Sequence, residues 1–301
     1  MASGDPAARS FGARSRRAII AAAGTPARVR LGGEMLLARG VPHRYGPHPS
    51  QVADLYLPPG AGPHAPVVLI HGGSWQKRYG KRVTAALASD LRRRGFAVWN
   101  IEYRRLGAGG GWPETFADVA AAIDHLATLN APLDTSRTSV IGHSAGGHLA
   151  LWAAGRASLP AGAPGARPEV GFSHAVALAG VCDLRCAYRA WRGGSARALI
   201  GGSPEQFPER YDLADPIALL PLHAQVLLVH GLADTTVTVE LSRSYARAAA
   251  AAGTALKLVE LEGAAGHHRA HIDPRSAAWR TAAGWLQDAL GGPRTLTAEA
   301  A

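Results

Sequence analysis

From Val52 onward, short apolar runs of strand length alternate with longer stretches of helical period. Val52–Leu57 alternates apolar and polar residues, the pattern of an edge strand with one wet face. Val67–Ile70, Phe96–Ile101, Thr138–Ile141, Ala175–Ala179, Val226–Val229 and Leu256–Leu261 are predicted strands, and a continuous run such as Val67–Ile70 suits a strand covered on both faces. Lys81–Arg94 suits a helix ended by Gly95. Pro113 opens another, because its missing N–H costs nothing at a helix start. Phe116, Val119, Ala120, Ile123 and Ala127 share one face of that helix. Gly147–Ala154, Val239–Ala252 and Ser276–Leu290 complete the helical set. Strands alternating with helices predict an α/β fold, a mostly parallel sheet with helices on both faces. Catalytic loops then belong at the carboxyl ends of the strands. No internal repeat is visible.

Residues 181–216 break the alternation with Trp191, Gly193-Gly194, Gly201-Gly202 and three prolines. They read as an irregular cap inserted into one large α/β domain over 41–291. Residues 1–40 read as a partly disordered leader and 292–301 as a tail. Composition changes this picture little. The 47% of hydrophobic residues supplies a sizeable core, and no apolar run approaches the ~18 residues needed to cross a bilayer. The net charge of +10 suggests nucleic acid, but six arginines crowd the first thirty residues and the remaining basic residues are scattered. No basic helix face or aromatic-interleaved patch appears, so no nucleic-acid partner is expected. Ser15-Arg16-Arg17 before Ala18–Ala23 has the outline of a twin-arginine export signal. That apolar stretch is short and soon meets Pro26 and Arg28, so a cytoplasmic location is expected. Cys182 and Cys186 are too few for a disulfide framework or a metal site.

The chemistry lies in four segments. Gly142-His143-Ser144-Ala145-Gly146 has the pattern G-x-S-x-G between a predicted strand and a predicted helix. Ser144 is the candidate nucleophile, lifted clear of the sheet by a strained turn. Gly142 and Gly146 leave room for the neighbouring strand and helix, and the helix points its N-terminal dipole at a developing oxyanion. His71-Gly72-Gly73-Ser74-Trp75 follows the strand Val67–Ile70. Acyl transfer needs backbone N–H donors at the tetrahedral oxygen, and Gly72, Gly73 and Ser74, with Ala145, are the candidates. His71 ends the strand and reads as a residue holding the loop. His230-Gly231-Leu232-Ala233-Asp234 follows the strand Val226–Val229. Asp234 is the candidate acid, with Asp183 as rival. Beyond Leu261 stands Gly266-His267-His268-Arg269-Ala270-His271, which leaves His267, His268 and His271 open as the base. A zinc site built from those three would leave Ser144 and the glycine loop unexplained.

Together HGGSW, GHSAGGHLA, HGLAD and HIDP resemble the esterase-lipase group of α/β-hydrolases, most closely the kynurenine formamidase-like and feruloyl-esterase-like branches. The resemblance runs from about Arg44 to Leu290. It implies the α/β-hydrolase fold, and because such proteins carry a histidine four residues before I-D-P, it selects His268 as base. Two departures stand out: His267 and Leu232 occupy positions where the family often has acids. The expected activity is hydrolysis of a small-molecule ester through an acyl-enzyme, with no metal or organic cofactor. Arylformamidase activity on N-formylkynurenine uses the same residues, with an aniline nitrogen as leaving group. A non-catalytic binding protein on this fold would not need the intact set. Trp75, Tyr188 and Trp191 are candidate pocket residues.

Overall fold

The computed structural model describes residues 40–291. The leader, its twin-arginine-like segment and the C-terminal tail fall outside the described residues. Eight strands form one sheet: β1 Val41–Arg44, β2 Val52–Tyr56, β3 Pro66–Ile70, β4 Ala97–Ile101, β5 Ser139–His143, β6 His174–Leu178, β7 Gln225–Gly231 and β8 Leu256–Leu261. Their order is β1-β2-β4-β3-β5-β6-β7-β8. The pairs β1/β2 and β2/β4 are antiparallel, and all others are parallel. The helices are α1 Ala85–Arg93, α2 Glu114–Asp124, α3 Ala145–Ala154, α4 Leu184–Ala190, α5 Gly194–Ile200, α6 Pro208–Ala214, α7 Glu240–Ala251 and α8 Ala277–Leu290.

Side-chain alternation along the parallel strands divides the interior into two layers. Val67, Leu69, Ile141, Val176, Leu227 and Val229 face a layer with Leu87 and Leu91 of α1 and Trp279 and Leu286 of α8. Val68, Ile70, Trp99, Val140, Val226 and Leu228 face the other, with Phe116 of α2, Leu149 and Trp152 of α3 and Leu241 of α7. Trp279 Nε1 donates to Asp90 Oδ2 at 2.7 Å and joins α8 to α1 beneath the sheet. On the opposite side the buried Arg156 guanidinium forks onto Asp124 and donates to Gly165 O at 2.6 Å.

The structure departs from the sequence reading in three places. Val52–Tyr56 is not the edge, because β1 pairs outside it. β1 is short and mostly exposed, with Val41 at 60%, so it has no apolar pattern to read. Residues 181–216 are not irregular: they hold α4, α5 and α6 and a short 3₁₀ turn at Pro216–Leu219. The glycines of this region mark helix boundaries, with Gly193 before α5 and Gly201 after it in the left-handed conformation. Ala127 is exposed because α2 ends at Asp124 and tightens into a 3₁₀ turn over His125–Thr128. Three residues per turn in place of 3.6 swing Leu126 inward.

The chain leaves β3 toward β4 on one side, while β5 lies on the other. This is a reversal point, where open α/β sheets form a crevice beyond their strand ends.

Candidate active site

Five adjacent strands, β3, β5, β6, β7 and β8, deliver the candidate residues at their carboxyl ends. Ser144 stands between β5 and α3 with φ 56° and ψ −119°. A residue with a side chain holds that conformation only when its surroundings enforce it, at a cost of about 1–3 kcal/mol. Here Ser144 N donates to Leu178 O of β6 at 2.9 Å, and Ser144 O accepts from His148 N at 3.1 Å and Val181 N at 3.3 Å. The turn closes only over glycine. A Cβ on Gly142 would overlap the Gly146 carbonyl, and one on Gly146 would overlap the carbonyls of Ile70 and His71.

The loop after β3 lies against this turn. A Cβ on Gly72 would stand 3.0 Å from Ser144 Cβ. Gly73, Ser74 and Trp75 all have positive φ, at 117°, 52° and 56°. Gly73 O accepts from Gln76 N at 3.0 Å, which curls the loop into a turn. Among the described residues no acceptor is bonded to the N–H of Gly73, Ser74 or Ala145. Ala145 is the first residue of α3, so its N–H also carries the positive end of the helix dipole.

After β7, Asp234 is 5% exposed. Its Oδ1 accepts from Thr236 N at 2.8 Å and Val237 N at 3.0 Å, and Oδ2 faces His268 Nδ1 at 2.6 Å. Burial alone would raise this carboxyl. The adjacent His230 and the bond from His268 outweigh burial and hold it well below the ordinary carboxylate range. His230 Nε2 stands 3.6 Å from Asp234 Oδ2 and bonds Val237 O at 2.8 Å, while Nδ1 meets Ser242 Oγ at 2.7 Å. Gly231 and Gly266 pass backbone against backbone, since a Cβ on Gly231 would overlap the Gly266 carbonyl.

His268 lies in a 3₁₀ turn over His268–Ile272. Two other imidazoles hold its carbonyl: His143 Nε2 at 3.1 Å and His271 Nδ1 at 3.3 Å. A carbonyl only accepts, so both nitrogens carry the proton. The ring of His143 lies 4.6 Å from that of His268. Burial, then His268 and His271, push His143 well below its ordinary value. Burial, then His230 and His268, lower His271 to about 4. Both therefore stay neutral beside His268 near pH 7. Sequence reasoning missed His143 and His230; their positions, beside Ser144 and opening H-G-x-x-D, were the available signal.

The other candidates separate from this group. His267 is exposed and His271 buried with Nδ1 turned to backbone carbonyls, so the three loop histidines do not converge. No group of three or more metal-ligating side chains is arranged to hold an ion among the described residues. Asp183 caps α4, accepting from Cys186 N and Ser244 Oγ, each at 2.7 Å. Both cysteines are free thiols. Trp75 is 1% exposed and set edge-on to His148, so its surface goes into the core rather than a pocket wall. Tyr188 and Trp191 are half-buried in the α4–α6 segment, where Tyr188 meets Tyr211 edge-on. Among the described residues, no hydrogen bond or ring contact joins either to Ser144 or His268.

This sheet and its helices define the α/β-hydrolase fold. The chain belongs to the BD-FAE family, whose profile matches residues 53–248. It is 28% identical over 281 residues to a probable isoprenylcysteine alpha-carbonyl methylesterase of Oryza sativa subsp. japonica, covering 85% of this chain and 61% of that protein. A truncated carbohydrate esterase from gut microbiota superposes with a TM-score of 0.71 at 23% identity, over 83% of this chain and 94% of that one. The butyrate-bound esterase of Thermogutta terrifontis gives 0.66 at 22% identity, over 85% and 95%. At these identities the structural likeness speaks for the fold. No helix among the described residues is long and apolar enough to cross a membrane.

Proposed function

We propose that the protein hydrolyses carboxylic esters of small substrates through an acyl-enzyme, with Ser144 as nucleophile, His268 as general base and Asp234 as its orienting acid. The observation that carries this reading is the 2.6 Å bond between His268 Nδ1 and Asp234 Oδ2, on loops that flank the strained Ser144 turn. With its Nδ1–H held in a hydrogen bond to Asp234, His268 keeps the lone pair on Nε2 for the Ser144 proton. Ser144 Oγ makes no hydrogen bond to a described residue, and in hydrolases this link commonly tightens with substrate bound. Ser144 Oγ then attacks the acyl carbonyl. The oxyanion forms against the N–H groups of Gly73 and Ala145, with Ser74 N–H beside them. His268 hands its proton to the leaving alkoxide, and water, deprotonated by the same imidazole, releases the acid. The names of the relatives bring methyl esters and short acyl esters such as butyrates to this chain as the first substrates to try.

The test is hydrolysis of p-nitrophenyl acetate and of N-formylkynurenine in parallel, with Ser144→Ala as control. Ester turnover abolished in Ser144→Ala supports the proposal. A kcat/KM that favours N-formylkynurenine would turn it toward an arylformamidase. Well-folded protein that turns over neither substrate and resists a fluorophosphonate probe would make it a binding protein on a hydrolase fold.

A further inference from the structure

Behind the loop after β3 lies a buried histidine–carboxylate pair that the proposed chemistry does not use. Glu102, at the end of β4, is 8% exposed. Its carboxylate accepts from Lys81 N at 3.0 Å and Tyr103 N at 3.2 Å and lies 3.2 Å from Arg105 Nη1. Burial alone would raise this carboxyl. The bond from His71, with the charges of His71 and Arg105, outweighs burial and holds it below its ordinary value. Glu102 is therefore ionised near pH 7. His71 is fully buried, with Nε2 2.7 Å from Glu102 Oε1 and Nδ1 2.8 Å from Gly72 O. Neither oxygen can donate, so the two bonds together require a proton on each ring nitrogen. Tyr103 holds the ring in place: it stacks at 4.5 Å with the planes 10° apart, and its hydroxyl donates to His71 O at 2.9 Å.

Gly72 O and Gly73 N are the two ends of one peptide unit. A charged donor bonded to the carbonyl draws electron density through the amide and makes the N–H at the other end a stronger donor. We propose that Glu102 keeps His71 as an imidazolium, and that His71 polarises the Gly72–Gly73 peptide so that the Gly73 N–H binds the oxyanion more strongly. Both are positioning residues, acting through the peptide and not on the substrate. The inference rests on the reading of Gly73 N–H as an oxyanion donor. It adds to that reading a fixed positive charge behind the loop, matched to a transition state more negative at oxygen than the ground state.

The test uses the full chain labelled with ¹⁵N-histidine. Long-range ¹H–¹⁵N correlation at pH 7.5 reads the ring, with His71 assigned by its loss in His71→Asn. Wild type is expected to show both His71 nitrogens protonated. Glu102→Gln keeps the side-chain volume and removes the charge. It is expected to return one nitrogen to the unprotonated shift and to lower kcat on p-nitrophenyl acetate about tenfold, with KM moving less than about twofold. A singly protonated His71 in active wild type overturns the proposal, and this result stands even if Glu102→Gln does not fold. A folded Glu102→Gln with wild-type kcat overturns it too. Wild type that neither hydrolyses esters nor reacts with a fluorophosphonate brings down the Ser144 reading and this proposal with it, and leaves the His71 spectrum as a separate result.

Discussion

Replacing Asp234 by Asn tests the orienting role with almost no change in shape. The two carboxylate oxygens are not equivalent: Oδ1 holds the backbone N–H groups of Thr236 and Val237, and Oδ2 holds His268 Nδ1. An Asn side chain has one acceptor and one donor. If its oxygen stays on the two backbone N–H groups, its NH₂ faces His268 and forces the ring into the tautomer protonated on Nε2, which cannot take a proton from Ser144. If the amide turns over, His268 keeps its working tautomer, but two backbone donors face an NH₂ group, one of them on the buried Val237. Leaving those donors unpaired costs about 2–4 kcal/mol. The unproductive orientation therefore dominates by roughly 30- to 1,000-fold. Asp234→Asn is expected to lower kcat on p-nitrophenyl acetate by about the same 30- to 1,000-fold. Steady-state kinetics at pH 7.5, with thermal melting to confirm folding, reads this directly. A folded Asp234→Asn within tenfold of wild type would refute the argument.

Three further outcomes follow from the geometry. Gly142→Ala drives its methyl into backbone of the first turn of α3, where no flexible side chain can give way. It should cost more than about 2 kcal/mol in urea denaturation and abolish fluorophosphonate labelling. Arg156→Ala leaves Asp124 without its forked partner and should cost about 3 kcal/mol in the same assay, with kcat of the folded enzyme unchanged. The buried His148 and His271 are both lowered from 6.5 to about 4, so the unfolded chain binds protons that the folded chain refuses. Their contribution to stability is whole above about 6.5 and is lost progressively as pH falls toward 4. Calorimetry should show the melting temperature declining across that window, and a flat profile there would contradict the assignment.

The parallel strands were legible because burial on both faces forces short apolar runs, and Val67–Ile70 and Val226–Val229 can be little else. β1 was not, because its four residues are held mainly by pairing with β2, and pairing writes no hydrophobic pattern. The helices of 181–216 were obscured because each is seven residues long, too short for a face to repeat. Ser144, Asp234 and one of three histidines could be named because strand-end positions and glycine spacing are local properties. The arrangement around them could not. His143 and Glu102 reach their partners across separations of 125 and 31 residues, and the positive φ that turns Trp75 into the core is set by the loop as a whole.

The backbone contact between Gly231 and Gly266 bears on how this chain can be recombined with its relatives. Gly231 ends the strand that Asp234 follows, and Gly266 closes the 3₁₀ turn just before the one that holds His268. A side chain on Gly231 would run into the Gly266 backbone, and one on Gly266 would stand 2.7 Å from Leu261 O at the end of β8. A chimera whose crossover falls between these two positions inherits them from different parents. If either parent has drifted there, Asp234 and His268 arrive out of reach of each other with both residues still present. Crossovers before β7 or within α8 keep the pair together, so block exchange in this part of the chain has a natural unit running from Gln225 to at least Ile272.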